Sequence, residues 1–295
     1  MSSLFSSLYS GQYYEDPLFP YAHIPYVEEY LVPLFPSALE KVAYHIHEII
    51  IIIGFYHFIF VLSSLVSPLL VDFSKVPRKT QIDFHVHVVS FVQSVIIVIL
   101  ALPLNFDQTL YQDRVFATTP YSSLVTTAAF AYFVWDSIIS TVYISLFGVQ
   151  FLVHGIISSI VFFIGMTPFI QYYAGVFILF ELSTPFLNLR WFGIKFPHWF
   201  NGTFNLINNI VLILIFFFVR ICFGWYQAIT LFTDFSNSVQ DPRFNTVYAL
   251  IIFFGYNILG VLNFYWFYRM AKVAVAIISD MVSGKDDNDA AKKDI

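Results

Sequence analysis

The chain has 295 residues, 58% hydrophobic and 11% charged, with a formal net charge of −5. A soluble domain carries about 25% charged residues, so a soluble globular class is excluded, and the lack of a basic block argues against a nucleic-acid partner. One cysteine, Cys222, rules out an internal disulfide and a cysteine-rich zinc site; burial as an inert thiol is expected of it.

Residues 1–36 are rich in Ser, Tyr and Pro and show neither a basic n-region nor a short apolar h-region. They are expected to form a surface tail, not a cleaved signal. Ser37 and Glu40 have the spacing of a capping box and predict a helix start. A membrane-crossing helix needs roughly 20 mostly apolar residues. Seven stretches meet that need: 43–70, 84–104, 123–146, 151–166, 169–189, 204–232 and 247–271. Only Gly-Met-Thr-Pro separates the fourth from the fifth, so those two also read as one long broken hairpin. All are expected to be helices, because open sheet edges go unsatisfied in lipid. The expected fold class is all-α, a polytopic transmembrane bundle.

Lys75, Arg78, Lys79, Arg190, Lys195, Arg269, Lys272, Lys285, Lys292 and Lys293 fall on one side of these spans, ten of the fourteen Lys and Arg. Lys41, Arg114 and Arg243 fall on the other, and Arg220 lies within a span. The positive-inside rule then predicts a lumenal N-terminus and a cytosolic C-terminus. The ending Lys292-Lys293-Asp294-Ile295 resembles a dilysine retrieval signal, an address read by coat-protein machinery. It predicts residence in the endoplasmic reticulum membrane.

A charge at mid-bilayer costs about 2.5–3.5 kcal/mol on insertion scales. Asp136, Glu181 and Arg220 sit within spans, with His57 and His154 beside them; Glu48 is expected to reach the interface. Tyr132, Asp136, Ser140 and Tyr143 share a helix face, as do Gln150, His154 and Ser158. Glu181, Thr184 and Asn188 form a third stripe, and His87, Ser90 and Ser94 a fourth. His87, Asp136, His154, Glu181, Asn208 and Asn263 all fall in the basic half of their segments. The expectation is a polar cavity opening toward the cytosol, with Arg220 further toward the lumen. Gln150, Ser158, Thr184, Asn188, Asn208 and Asn263 are candidate ligand contacts in it. Polar residues in membrane bundles also bond helix to helix, which is the competing reading of Asn208, Asn209, Asn257 and Asn263. His57, His85 and His87 read as structural. Asp136 and Arg220 read equally as a buried pair or as part of a site. Pro185 has no N–H to give the Glu181 carbonyl, which is expected to stay a free acceptor.

The stretch Glu-Leu-Ser-Thr-Pro-Phe-Leu-Asn-Leu-Arg-Trp, from Glu181 to Trp191, resembles the signature of the TLC-domain family, named for its TRAM, longevity-assurance and CLN members. The match is to its small fungal and animal membrane proteins. It implies a six-helix core around a central cavity, over residues 75–273. An extra helix region at 37–74 precedes it, and a cytosolic tail at 274–295 follows. The family includes ceramide synthases, which acylate a sphingoid base with acyl-CoA and carry a His-His pair and two acids. His154 matches the first histidine and Glu181 the first acid, but Gly155 and Thr184 stand at the other two places. The resemblance implies binding, sensing or adjustment of membrane lipids in lipid homeostasis. The alternative is an acyl-CoA-dependent acyltransferase with His154, Glu181 and Asp136 as catalytic candidates and acyl-CoA as co-substrate. A lipid transporter is a third reading, weakened by the lack of an inverted repeat. No metal cluster and no cofactor motif is read in the chain.

Overall fold

A computed structural model describes residues 29–30, 32–35 and 39–283. Ser37, Lys285, Lys292 and Lys293 lie outside the described residues. Among the described residues the α-helices longer than five residues are α1 Ile46–Val66, α2 Arg78–Ala101, α3 Pro120–Val142, α4 Val149–Gly165, α5 Gln171–Ile178, α6 Thr184–Lys195, α7 Gly202–Ile215, α8 Gly224–Ser238 and α9 Thr246–Ser283. No strand occurs among the described residues. The protein is an all-α polytopic membrane bundle.

Among the described residues, five stretches are long and apolar enough to cross a membrane: 46–69, 78–106, 120–142, 202–238 and 246–276. The 17-residue apolar α4 and the interrupted stretch from α5 to α6 supply the remaining two of the seven segments. The fourth and fifth are separate helices, parted by a turn at 166–170. There Ile170 takes a left-handed φ of 57°, uncommon for a β-branched residue. It is held by burial and by its N–H, which donates to the Val115 carbonyl at 2.7 Å.

The middle of the bundle is α3. Thr119 and Ser122 form its capping box and Pro120 its first residue. Alternating small and large residues along it let neighbours approach closely. Tyr132 and Trp135 pack against Tyr56 of α1, with ring centroids 5.2 and 6.4 Å away. On its other side α3 meets α4 at Gly155. A Cβ there would stand 2.8 Å from Ser137 Oγ and 3.0 Å from Asp136 Oδ2. The crossing thus depends on a small residue, a common device in lipid, where helices attract mainly through close packing.

Two helices facing one another depart from regular α geometry. Between α5 and α6 the chain tightens into a 3-10 stretch, Leu179–Ser183. Between α7 and α8 it widens into a π stretch, Phe216–Phe223, with Arg220 inside it. π geometry is rare and frequent at functional sites.

Glu48 and Cys222 depart from what was expected of them. Glu48 does not reach the interface: it is fully buried, with His45 Nδ1 and its Oε2 2.5 Å apart. A charge that close to a helix start is cheaper to pair inside the protein than to expose to lipid. Cys222 is exposed on the outer surface, not buried, because lipid accepts a thiol as readily as a core does.

Candidate functional site

A cavity of about 490 Å³ opens between α2, α3, α4, α6 and α9. Its polar lining includes His87 and Ser90 from α2, Tyr132, Asp136 and Ser140 from α3, and His154 from α4. The opposite wall is Glu181, Ser183, Thr184 and Asn188, with Arg220 behind them. Beyond lies a narrow, mostly apolar slot of about 70 Å³. Phe133, His154, Glu181 and Arg220 line both spaces and form the boundary between them.

Arg220 ties this boundary together. Its Nη2 donates to Glu181 Oε1 at 3.4 Å and Thr184 Oγ1 at 3.1 Å. Its Nε donates to Ser183 Oγ at 2.9 Å and the Phe180 carbonyl at 3.0 Å. Its Nη1 donates to Asn263 Oδ1 at 3.3 Å. The guanidinium therefore joins three segments of the chain. Its partner is Glu181, not Asp136, and the two lie side by side, so Arg220 is not set apart toward the lumenal side.

Pro185 cannot donate to Glu181 O, and the Thr184 N–H turns to that carbonyl instead. Glu181 O is thus occupied, contrary to the expectation. Phe180 O, one residue earlier, accepts from both Ser183 Oγ at 3.2 Å and Arg220 Nε at 3.0 Å.

The other candidates separate. Asn188 is fully buried and pairs with His87, 2.6 Å between Oδ1 and Nδ1; its Nδ2 donates to Ser90 Oγ at 3.1 Å. His154 is edge-on to Phe133 and Trp266, and its Nδ1 is buried without a hydrogen-bond partner. Ser158 and Asn263 face the slot, not the wide cavity. Gln150 is absent from both linings; its carboxamide lies beside Gly148, whose φ of 88° starts α4. Asn208 is likewise outside: its Nδ2 donates to the Phe186 carbonyl at 2.9 Å, bonding α7 to α6. Asn257 donates to Phe253 O of its own helix, not to a neighbouring one. His57 lies on the exposed face of α1 beside Phe60.

Sequence reasoning missed Gln93, which is fully buried in the slot with both carboxamide atoms unpartnered. Its signal was present, since it stands three residues past Ser90 on the same helix face. The cations at the cavity mouth were missed as well, having been read for topology alone. No group of three metal-ligating side chains occurs among the described residues.

The TLC domain model matches residues 83–272, from the second span into α9. The chain belongs to the TLC domain family. It is 40% identical over 203 residues to a Saccharomyces cerevisiae TLC domain-containing protein, covering 65% of this chain and 64% of that one. It is 33% identical over 270 residues to yeast topoisomerase I damage affected protein 4, covering 86% of this chain and 92% of that one. Human TLC domain-containing protein 4 is 27% identical over 244 residues, 79% of this chain and 89% of that one. No solved structure matches the chain. Within this TLC domain, Gly155 has a packing reason: a second histidine after His154 would collide with Ser137 and Asp136.

Proposed function

We propose that this TLC-domain protein resides in the endoplasmic reticulum membrane and binds membrane lipids, sensing or adjusting them in lipid homeostasis. The observation that carries this reading is the paired cavity. A wide chamber with charged and polar side chains in an otherwise apolar wall leads past Glu181 and Arg220 into a narrow apolar slot, so polar and apolar parts of one amphiphile each find a matching surface. Mass spectrometry of lipid retained by the purified protein tests it. An intact phospholipid or ceramide is expected, and a protein that retains none in either detergent or nanodiscs overturns it.

The second reading is an acyltransferase related to ceramide synthases. It is favoured by one observation, His154 Nδ1 free of any partner at the edge of the chamber that holds Glu181. His154 would take the proton of an attacking amine as its nitrogen bonds to the thioester carbonyl carbon and return it to the CoA sulfur as the C–S bond breaks, with Glu181 as the second positioned polar group. Incubation of the purified protein with long-chain base and acyl-CoA decides between the two. The proposed residence is supported by the pair Lys292-Lys293 and by the basic bias of one side of the spans; replacing Lys292 and Lys293 with serine is expected to release part of the protein to later membranes.

A further inference from the structure

The rim of the wide cavity carries a cluster of basic side chains apart from the boundary at Arg220. Lys79 stands in the first turn of α2, Arg190 and Lys195 near the end of α6, and Arg269 in α9, and all four line the cavity. Asp83 is the one carboxylate among the rim residues. The remaining acids, Asp136 and Glu181, lie deeper. At ~1.5 Å per residue, Glu181 is roughly 20 Å along the helix axis from Lys195. The cavity is therefore layered, cations at the mouth and carboxylates toward the floor.

We infer that the mouth binds the phosphate of an anionic amphiphile, its polar linker lying along the middle layer and its chain directed to the slot. This rests on the lipid-binding reading and names the head group it selects. Cations gather at one end of many membrane bundles for topological reasons alone. Here they face a shared cavity, and Arg190 is positioned for recognition: it is half-buried, and its Nη1 is held by Asn209 Oδ1 at 3.0 Å. A guanidinium fixed in this way loses little freedom on binding a phosphate, which it matches with two parallel N–H bonds. Phosphate of this kind has two sources, a phospholipid of the surrounding leaflet or an acyl-CoA from the aqueous side.

Full-length protein in nanodiscs is titrated with dioleoyl phosphatidate, palmitoyl-CoA and dioleoylglycerol. At least one phosphate-bearing probe is expected to bind about tenfold or more tightly than dioleoylglycerol, with the advantage shrinking as salt is raised. Preference for phosphatidate assigns the leaflet source and preference for palmitoyl-CoA the aqueous one. Lys79→Gln and Lys195→Gln are each expected to reduce that advantage while leaving dioleoylglycerol binding unchanged. Arg190→Lys, which keeps the charge and loses the fork, should fall between. If dioleoylglycerol binds as tightly as both phosphate probes, the inference fails and lipid binding stands. If no probe binds, both fail. A rim variant that does not fold leaves the wild-type comparison to decide.

Discussion

Arg220 donates its Nε hydrogen to the carbonyl oxygen of Phe180 at 3.0 Å, across two helices that both depart from α geometry. The same guanidinium serves Glu181, Ser183, Thr184 and Asn263. Removing it leaves the buried Glu181 carboxylate without its cation. Arg220→Met is expected to destabilise the protein by about 3–5 kcal/mol, the usual effect of deleting one partner of a buried pair. Thermal unfolding in detergent measures this, and a melting temperature equal to wild type would show the knot to be dispensable.

Glu181→Gln should behave differently. The carboxamide still accepts from Arg220, so a loss of only about 1 kcal/mol is expected. Under the lipid-binding reading this variant still retains lipid. Under the acyltransferase reading it loses activity by roughly 10²–10⁴-fold, the contribution of one positioned acid or base. Stability, retained lipid and turnover measured on one preparation separate these outcomes.

Gly155 tests whether the second histidine of ceramide synthases was lost for packing reasons. Gly155→His supplies that residue, and Gly155→Ala adds one methyl 2.8 Å from Ser137 Oγ. Both are expected to destabilise, the alanine variant by about 1–3 kcal/mol. Adding Ser137→Ala should return part of the loss, because the two sites touch. A Gly155→His variant as stable as wild type would contradict the close crossing.

Acid sensitivity is expected at the loop between α8 and α9. The side-chain bond from Arg243 holds Asp241 down at about pKa 2, from an ordinary value of 3.8. A folded-state pKa below the unfolded one stabilises above the unfolded value and loses that stability as pH falls through the folded one. The contribution of this pair should thus disappear between about pH 4 and pH 2. Arg243→Met should weaken the loop at neutral pH and flatten its response across that window. Hydrogen exchange of residues 239–245 follows it, and an identical response in wild type and variant would exclude the pair.

Asn201 is both the acceptor of the Asn-Gly-Thr sequon and the N-cap of α7, accepting from the Phe204 N–H at 2.7 Å. It sits at the basic end. If that end is cytosolic, Asn201 stays unmodified, because glycosylation is lumenal chemistry. A glycosidase-sensitive mass shift in a native host would reverse the orientation. Asn201→Ala should cost about 1 kcal/mol through the lost cap, whatever the orientation.

The sequence alone determined the solvent of this protein, the seven apolar segments and the stripes at Asp136, His154, Glu181 and His87. Hydropathy and helical period are local properties, written in residues a few places apart. The tertiary structure decided which stripe residues meet. Arg220 sits in a π stretch, where the repeat no longer follows three and four residues, so its side chain points to Glu181 and not where a regular helix would send it. Gln150 and Asn208 share a period with true lining residues, yet the rotation of α4 and the nearness of α6 turn them to other partners. The Arg220 bond to the Phe180 carbonyl depends on the 3-10 stretch before Pro185, which Pro185 by itself does not specify. The Gly155 crossing likewise depends on Ser137, a residue from another helix. Contacts of that kind are set by how helices dock, and docking in lipid is governed by packing over the whole bundle, which no short stretch of sequence contains.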